Sequence, residues 1–256
     1  MTLLVGRKAA QRPQRTRGFA VSPRLLACVL ATVATPAWAA GAVFDKPVAL
    51  TAVPGAEGRE VVCTDYGDLG VVELRDGPSS EPAVLVGGGV KSCGAAAAER
   101  GVKLDTADMA LAGRVGPLLI FSQMDPHGAV GFAVVRARDG EVVMREAATG
   151  DPLFRSARVL ADGSVSLKYT RAVNAPCSLL ADAAGCWDRL ASEGIVPGAL
   201  AKRSPRANIC ARAYEAVSAP RDDPSIVSWD QETIFEAGGD IAGKSFGEKI
   251  GCDALP

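Results

Sequence analysis

The chain has 256 residues, of which 28 are basic, 29 are acidic and one is a histidine. Hydrophobic residues make up 48% and charged residues 22%, ordinary values for a folded protein that exclude a disordered or collagen-like chain. A single histidine and an aromatic content of 5% also argue against a haem pocket, a histidine-based metal site or a base-stacking surface.

The N-terminal segment is typical of a secretory signal. Residues 1–24 carry six basic residues and no acidic one, the apolar run Leu25–Thr35 follows, and small residues at Ala37 and Ala39 flank a cleavage point. The alternative is a membrane anchor, because the uncharged stretch is nearly long enough to cross a bilayer. Against the anchor, the run is only weakly apolar and Pro36 divides it.

We therefore predict a signal peptide over residues 1–39 and a periplasmic or secreted mature protein with no stable membrane insertion. Cleavage removes six basic residues and no acidic one, which leaves 22 basic against 29 acidic residues and a net charge of −7. This negative charge argues against nucleic acid and anionic membrane surfaces as partners.

Six cysteines remain after cleavage, and an even number in an exported chain predicts three disulfide bonds. No two of them have C-x-x-C spacing and the histidine is not near any of them, so the sequence predicts no metal site. The six are Cys63, Cys93, Cys177, Cys186, Cys210 and Cys252.

The pairing of these cysteines depends on one helix. The first two lie alone in the N-terminal half and are predicted to pair. A continuous helix over Ser178–Ala191 would hold Cys177 and Cys186 roughly 13 Å apart, too far for a bridge, but Gly185 offers a break. With that break Cys177 pairs with Cys186, and Cys210 pairs with Cys252. The alternative pairs Cys186 with Cys210 and Cys177 with Cys252.

Strand patterns dominate the first part of the mature chain. Apolar and polar residues alternate over 164–170, which describes a half-buried strand. Asp162-Gly163 joins this strand to an earlier one, and Asp139-Gly140 joins another pair, both through tight hairpin turns. The predicted strands are Glu60–Thr64, Gly70–Leu74, Ala83–Val86, Pro117–Ser122, Ala129–Ala137, Glu141–Glu146, Ser156–Leu160 and Ser164–Thr170.

After Asn174 the pattern changes to helical spacing. Apolar residues between Leu179 and Ala191 recur at intervals that place them on one helix face. Ser204-Pro205 begins a second helix that continues through Val217, because serine caps a helix start and proline fits its first position.

These elements predict an α+β fold with one domain. An antiparallel, β-rich meander of hairpins occupies residues 40–173. A disulfide-tied helical hairpin follows over residues 174–256, with a final strand at Ile226–Phe235 and a disulfide-held tail, all packed on the β-rich region.

Two motif matches near the C-terminus are interpreted as spurious. Gly238, Gly243, Lys244 and Ser245 fit the phosphate-binding pattern G-x-x-x-x-G-K-[ST]. Only 11 residues follow the match, too few for the helix and the later strand that such a loop needs. The overlapping pattern G-x-S-x-G has no later histidine to act as its base. We therefore predict no nucleotide or other cofactor.

His127 and Asp125 are the candidates for acid–base catalysis, although a histidine in a proline- and glycine-rich loop is more typical of a solvated turn. The predicted function is a non-enzymatic binding or interaction module of the cell envelope, with a protein or a glycan as partner. The alternatives are an envelope hydrolase that uses carboxylates and an inhibitor-like module that blocks another enzyme.

Overall fold

A computed structural model describes residues 44–77, 79–124, 129–205 and 207–255 of the chain. The predicted signal over residues 1–39 and the candidate pair Asp125 and His127 lie outside these described residues. The described residues form two antiparallel β-sheets and three short helices, so the predicted β-rich α+β fold is confirmed.

The first sheet is built from six strands: β1 Ala49–Pro54, β2 Glu60–Asp65, β3 Leu69–Asp76, β4 Ser79–Ser80, β5 Val84–Gly87 and β6 Val102–Lys103. They pair in the order β1-β2-β3-β5-β6, with β4 beside the end of β3. Both faces of β3 are buried, since Val71 packs towards the second sheet and Val72 packs with Ala97 of the short helix α1, Ala95–Ala98. Burial on both faces explains the valine-rich runs of these strands.

The second sheet is a meander of seven strands: β7 Met109–Val115, β8 Leu118–Gln123, β9 Val130–Arg136, β10 Val142–Val159, β11 Val165–Asn174, β12 Ser225–Phe235 and β13 Ile241–Ala254. Each strand pairs with the next one in the chain. Gly140 and Gly163 have φ angles of +78° and +82°, which glycine adopts without strain in the two predicted Asp-Gly turns.

β10 is one strand of 18 residues, where the sequence predicted separate strands at Glu141–Glu146 and Ser156–Leu160. Its first half pairs with β9 and its second half pairs with β11. The register to β11 shifts between Thr149 and Phe154, so the glycine and proline in that interval form a bulge instead of a strand end. Pairing on both sides keeps the strand continuous.

The second sheet is also buried on both faces. On one face, Phe121 packs with Leu85 of the first sheet. On the other face the sheet curls until β7 contacts β10. The curl encloses an aromatic cluster in which the Phe132 ring meets the rings of Phe154 and Tyr169 edge to face, with centroids 5.1 Å apart in each pair.

The two longer helices, α2 Ala183–Ser192 and α3 Ala207–Ala216, lie in the connection between β11 and β12. These two strands pair directly over ten successive residue pairs. The helices therefore interrupt the chain but not the sheet, and they pack on β12 and β13 through a core that includes Trp187, Tyr214 and Trp229.

α2 begins later than the continuous helix considered over Ser178–Ala191. The carboxylate of Asp182 accepts a hydrogen bond from the backbone N–H of Gly185 at 2.9 Å and caps the helix. The break falls before Asp182 and not at Gly185. Cys177 is thereby free to approach Cys186, to a Cα–Cα distance of 5.7 Å.

Three disulfides brace the fold. Their Cα–Cα distances are 5.7, 5.7 and 5.0 Å, within the range that a disulfide spans. The pairing is the one that a break in the first helix allows, and the third bridge holds α3 to β13. The bonds join Cys63 to Cys93, Cys177 to Cys186 and Cys210 to Cys252.

The C-terminal segment is a strand and not the tail that the sequence predicted. β13 pairs with β12 along most of its length and ends with Ala254 opposite Ser225. Gly251 lies opposite Ser228, and a β-carbon on Gly251 would lie only 2.3 Å from the serine Oγ. The glycine that weakens the strand pattern in the sequence leaves room for the Ser228 hydroxyl on the neighbouring strand.

Side chains of the first sheet satisfy backbone groups along the outer edge of β7. The buried carboxylate of Glu73 accepts a hydrogen bond from the N–H of Leu111 at 2.9 Å. The hydroxyl of Ser80 donates to the carbonyl of Met109 at 2.9 Å. These bonds join the two sheets, because each connects a residue of the first sheet to the edge of the second.

The stability contributed by Glu73 is expected to depend on pH. Burial raises the pKa of Glu73 above its ordinary value of 4.5, against the opposing charge of Arg75 and the Leu111 N–H. A carboxyl with a raised folded-state pKa contributes stability that is fully present below its unfolded-state pKa. That contribution is lost as pH rises through the folded-state pKa.

We therefore expect the unfolding free energy of the wild-type protein, relative to Glu73→Gln, to fall as pH rises from about 4 to about 8. Urea unfolding of both proteins across this interval measures the difference. A difference that is constant with pH would contradict the raised pKa.

Candidate functional site

The residues of the phosphate-loop match lie in the hairpin that joins β12 to β13. Gly238 belongs to the turn, whereas Gly243, Lys244 and Ser245 belong to β13 and pair with β12. A phosphate-binding loop leads into the N-terminus of a helix. This segment leads into a strand.

Lys244 contacts a buried carboxylate on the sheet. Its ammonium nitrogen lies 2.5 Å from Oε1 of Glu146, whose side chain is 3% exposed. Nη1 of Arg171 donates to the same oxygen at 2.8 Å. The other oxygen, Oε2, accepts hydrogen bonds from the Tyr169 hydroxyl at 2.5 Å and from the Gln231 amide at 2.9 Å. These five residues, contributed by four adjacent strands, form the Glu146 cluster.

The surroundings of the Glu146 cluster keep the Tyr169 hydroxyl protonated and fix the position of Arg171. Burial, together with the negative charge of Glu146, raises the pKa of the Tyr169 hydroxyl far above its ordinary value. The hydroxyl therefore stays protonated and remains a donor. Arg171 is placed by a second contact, since its guanidinium carbon lies 5.4 Å from the centre of the Trp229 ring.

The Glu146 carboxylate is saturated with hydrogen-bond donors. A carboxylate has about four lone-pair directions, and each oxygen of Glu146 receives two donors. A general base or a nucleophile has to aim a lone pair at its substrate. The arrangement therefore suits a connection between β10, β11, β12 and β13 better than a centre for hydrolysis.

The sequence analysis missed Glu146, although its strand carries a signal. Met144 and Ala148 are buried two residues before and two residues after it. Glu146 is thus a charged residue at a position where the alternation of the strand calls for an apolar one. Its partners on β11, β12 and β13 have no such signal, because only the sheet brings them together.

A groove of about 490 Å³ lies between α3 and β13, and we call it the α3–β13 groove. The Cys210–Cys252 disulfide ties the helix side of the groove to its strand side. Cys210 follows Ile209 in the chain and Cys252 follows Gly251, and both of these neighbours line the groove. Nη2 of Arg203 lies 3.4 Å from Oε1 of Glu248 at its charged end. The lining residues are Arg203, Ser204, Pro205, Ile209, Glu248, Lys249, Ile250 and Gly251.

Over the described ranges, no three histidine, cysteine, aspartate or glutamate side chains gather in a way that would hold a metal ion. None of the helices that the structure describes is long and apolar enough to cross a membrane. Comparison of the chain with known protein families, with curated proteins and with solved structures finds no significant match.

Proposed function

We propose that the protein is an exported, non-enzymatic binding module that holds an extended segment of a partner protein in the α3–β13 groove. The observation that carries this proposal is the composition of the groove. It combines an apolar lining, charged side chains and the outermost strand of a sheet. An extended peptide can add to such a strand through its backbone, while the space beside the strand selects its side chains.

The charges of the groove indicate the chemistry of the bound segment. Arg203 and Lys249 outnumber Glu248, although the mature chain is predicted to be acidic overall. The remaining large side chains of the lining are apolar. We therefore expect the bound segment to carry an acidic side chain close to an apolar one.

The disulfide beside the groove supports a site that is formed before the partner arrives. Cys210 on α3 and Cys252 on β13 hold the two sides at a Cα–Cα distance of 5.0 Å. A preorganised site loses less conformational entropy on binding. The three disulfides also fit an oxidising compartment, such as the one to which the predicted signal peptide would deliver the chain.

A library of random peptides displayed on phage, panned against the exported and oxidised protein, tests the proposal. We expect enriched peptides to pair an acidic residue with an apolar one. Lys249→Glu is expected to weaken their binding at least about tenfold, because it reverses a charge that faces the peptide.

Lys202→Glu is the matched control, since Lys202 is exposed and does not line the groove. It makes the same change of charge and is expected to leave peptide binding unchanged. Enrichment no greater than on an unrelated exported protein would contradict the proposal. So would equal losses of affinity in Lys249→Glu and Lys202→Glu.

A further inference from the structure

The Cys177–Cys186 disulfide can be reached from the protein surface. Both cysteines line a pocket of about 370 Å³ at the start of α2. Cys177 is half-buried, whereas Cys186 is only 3% exposed. Exchange of a disulfide requires a thiolate to reach one of its two sulfurs. The pocket therefore gives an external thiol access to this bond, with Cys177 as the accessible residue.

The Cys210–Cys252 disulfide is closed to such an approach. Its two residues are 1% and 2% exposed, and both belong to the core between the helices and β12 and β13. A thiol can reach a bond in this position only after the surrounding structure opens. We therefore expect its exchange to require unfolding of that core.

The Cys63–Cys93 disulfide is also protected, although Cys93 is half-buried. Cys63 is 3% exposed. Sγ of Cys93 lies 3.6 Å from the carbonyl oxygen of Thr51 and 3.7 Å from the carbonyl oxygen of Val61. Carbonyl oxygens carry partial negative charge, so they repel an approaching thiolate and disfavour a departing one. This environment slows exchange at either sulfur.

The pocket beside Cys177 carries negative charge. Asp182 and Asp222 line it and are exposed. Arg189 also lines it, but its Nε donates to Oε1 of Glu193 at 2.9 Å, so its charge is already paired. The two residues that flank Asp222 in the chain have opposite charges, and neither lines the pocket. A thiol that carries a positive charge is therefore favoured there over one that carries a negative charge.

We propose that Cys177–Cys186 is a site of thiol–disulfide exchange, open in the folded protein to external thiols that carry positive charge. The external thiolate attacks Sγ of Cys177 and forms a new S–S bond with it. The bond to Cys186 breaks, and the Cys186 sulfur leaves with the electron pair and takes a proton from water. A second external thiolate then attacks the mixed disulfide and releases reduced Cys177, so two external thiols become one disulfide.

The fold around the pocket does not depend on this bond alone. The bond joins residues only nine positions apart in the chain. Between them, the N–H of Leu179 donates to the Ser225 hydroxyl at 2.9 Å, and the carboxylate of Asp182 caps α2 at Gly185. The bond can therefore open while the segment stays in place and the other two disulfides stay closed.

Timed reduction of the oxidised, folded protein with dithiothreitol tests which bond opens. Samples are quenched with iodoacetamide, and the alkylated peptides are quantified by mass spectrometry. We expect alkylation of Cys177 and Cys186 to be at least about tenfold faster than alkylation of any other cysteine in the mature chain. Simultaneous opening of all three bonds, or earlier opening of another bond, would overturn the proposal.

Two monothiols of opposite charge, cysteamine and 2-mercaptoethanesulfonate, test the chemistry of the pocket. At about 10 mM ionic strength, where charges are weakly screened, we expect cysteamine to react at least about threefold faster per thiolate. Its adduct should be on Cys177, with Cys186 free. Equal rates for the two thiols, or an adduct mainly on Cys186, would contradict the proposal.

Asp222→Asn is expected to reduce the preference for cysteamine, because it removes one negative charge from the pocket. Asp76→Asn is the matched control, since Asp76 is exposed at the end of β3 and does not line the pocket. It makes the same change of charge and is expected to leave the preference unchanged. The assigned role of the pocket charge would be wrong if both variants behaved alike.

Discussion

Removal of the Cys210–Cys252 disulfide is expected to lower the unfolding free energy by about 4 kcal/mol and the melting temperature by about 10 °C. This bridge spans 42 residues, against 30 and 9 for the other two. A bridge that closes a longer loop restricts the unfolded chain more strongly. Both residues are also buried between α3 and β13, at 1% and 2% exposure, so alanine in their place leaves a cavity.

Differential scanning calorimetry of the variant Cys210→Ala/Cys252→Ala measures this loss. Cys177→Ala/Cys186→Ala removes the shortest loop and is the matched control, with an expected loss of about 2.5 kcal/mol. Equal losses in the two variants would show that loop length does not decide the effect. The first variant should also lose peptide binding in the α3–β13 groove, because its two sides are no longer tied together.

Glu146→Ala is expected to lower the unfolding free energy by about 3 kcal/mol. The substitution leaves Arg171 and Lys244, which are 26% and 29% exposed, as neighbouring cations without their shared carboxylate. It also removes one acceptor of the Tyr169 hydroxyl and of the Gln231 amide, which keep contacts with Oγ1 of Thr233 at 3.1 and 3.2 Å. Loss of the shared carboxylate removes four hydrogen bonds and leaves two neighbouring cations uncompensated, which makes the loss large.

Urea unfolding of Glu146→Ala beside Glu232→Ala tests this expectation. Glu232 also lies on the sheet and pairs with Lys168 at 3.2 Å, but its side chain is 28% exposed. Its replacement is expected to cost less than about 1 kcal/mol. Adding Lys244→Met to Glu146→Ala should restore part of the lost stability, because it removes one uncompensated cation. Similar losses in the two single variants would contradict the saturated cluster.

The predicted hairpins and helices were found where local chemistry decides the backbone. Gly140 and Gly163 accept the positive φ angles of their turns whatever the rest of the chain does. The second helix ends at Ala216, within one residue of the prediction, but it begins at Ala207, so Pro205 lies outside it and Ser204-Pro205 is not its first turn as predicted. These features depend on neighbours in the sequence, so a sequence pattern can reveal them.

β10 and β13 were not predicted as they are, because their continuity depends on distant partners. The bulge between Thr149 and Phe154 does not end β10, because β9 pairs with the first half of this strand and β11 pairs with the second half. β13 contains three glycines and resembles a tail until β12 lies beside it. The Glu146 cluster has the same origin, since its five residues come from four strands.

The sequence by itself determined the β-rich class, the hairpin turns, the presence of the two longer helices and the number of disulfides. Each follows from composition or from contacts between residues close in the chain. Only the tertiary structure decided where α2 begins, which strands continue and how β7 is covered. These properties depend on backbone and side-chain groups far apart in the chain, which meet only when the two sheets have formed.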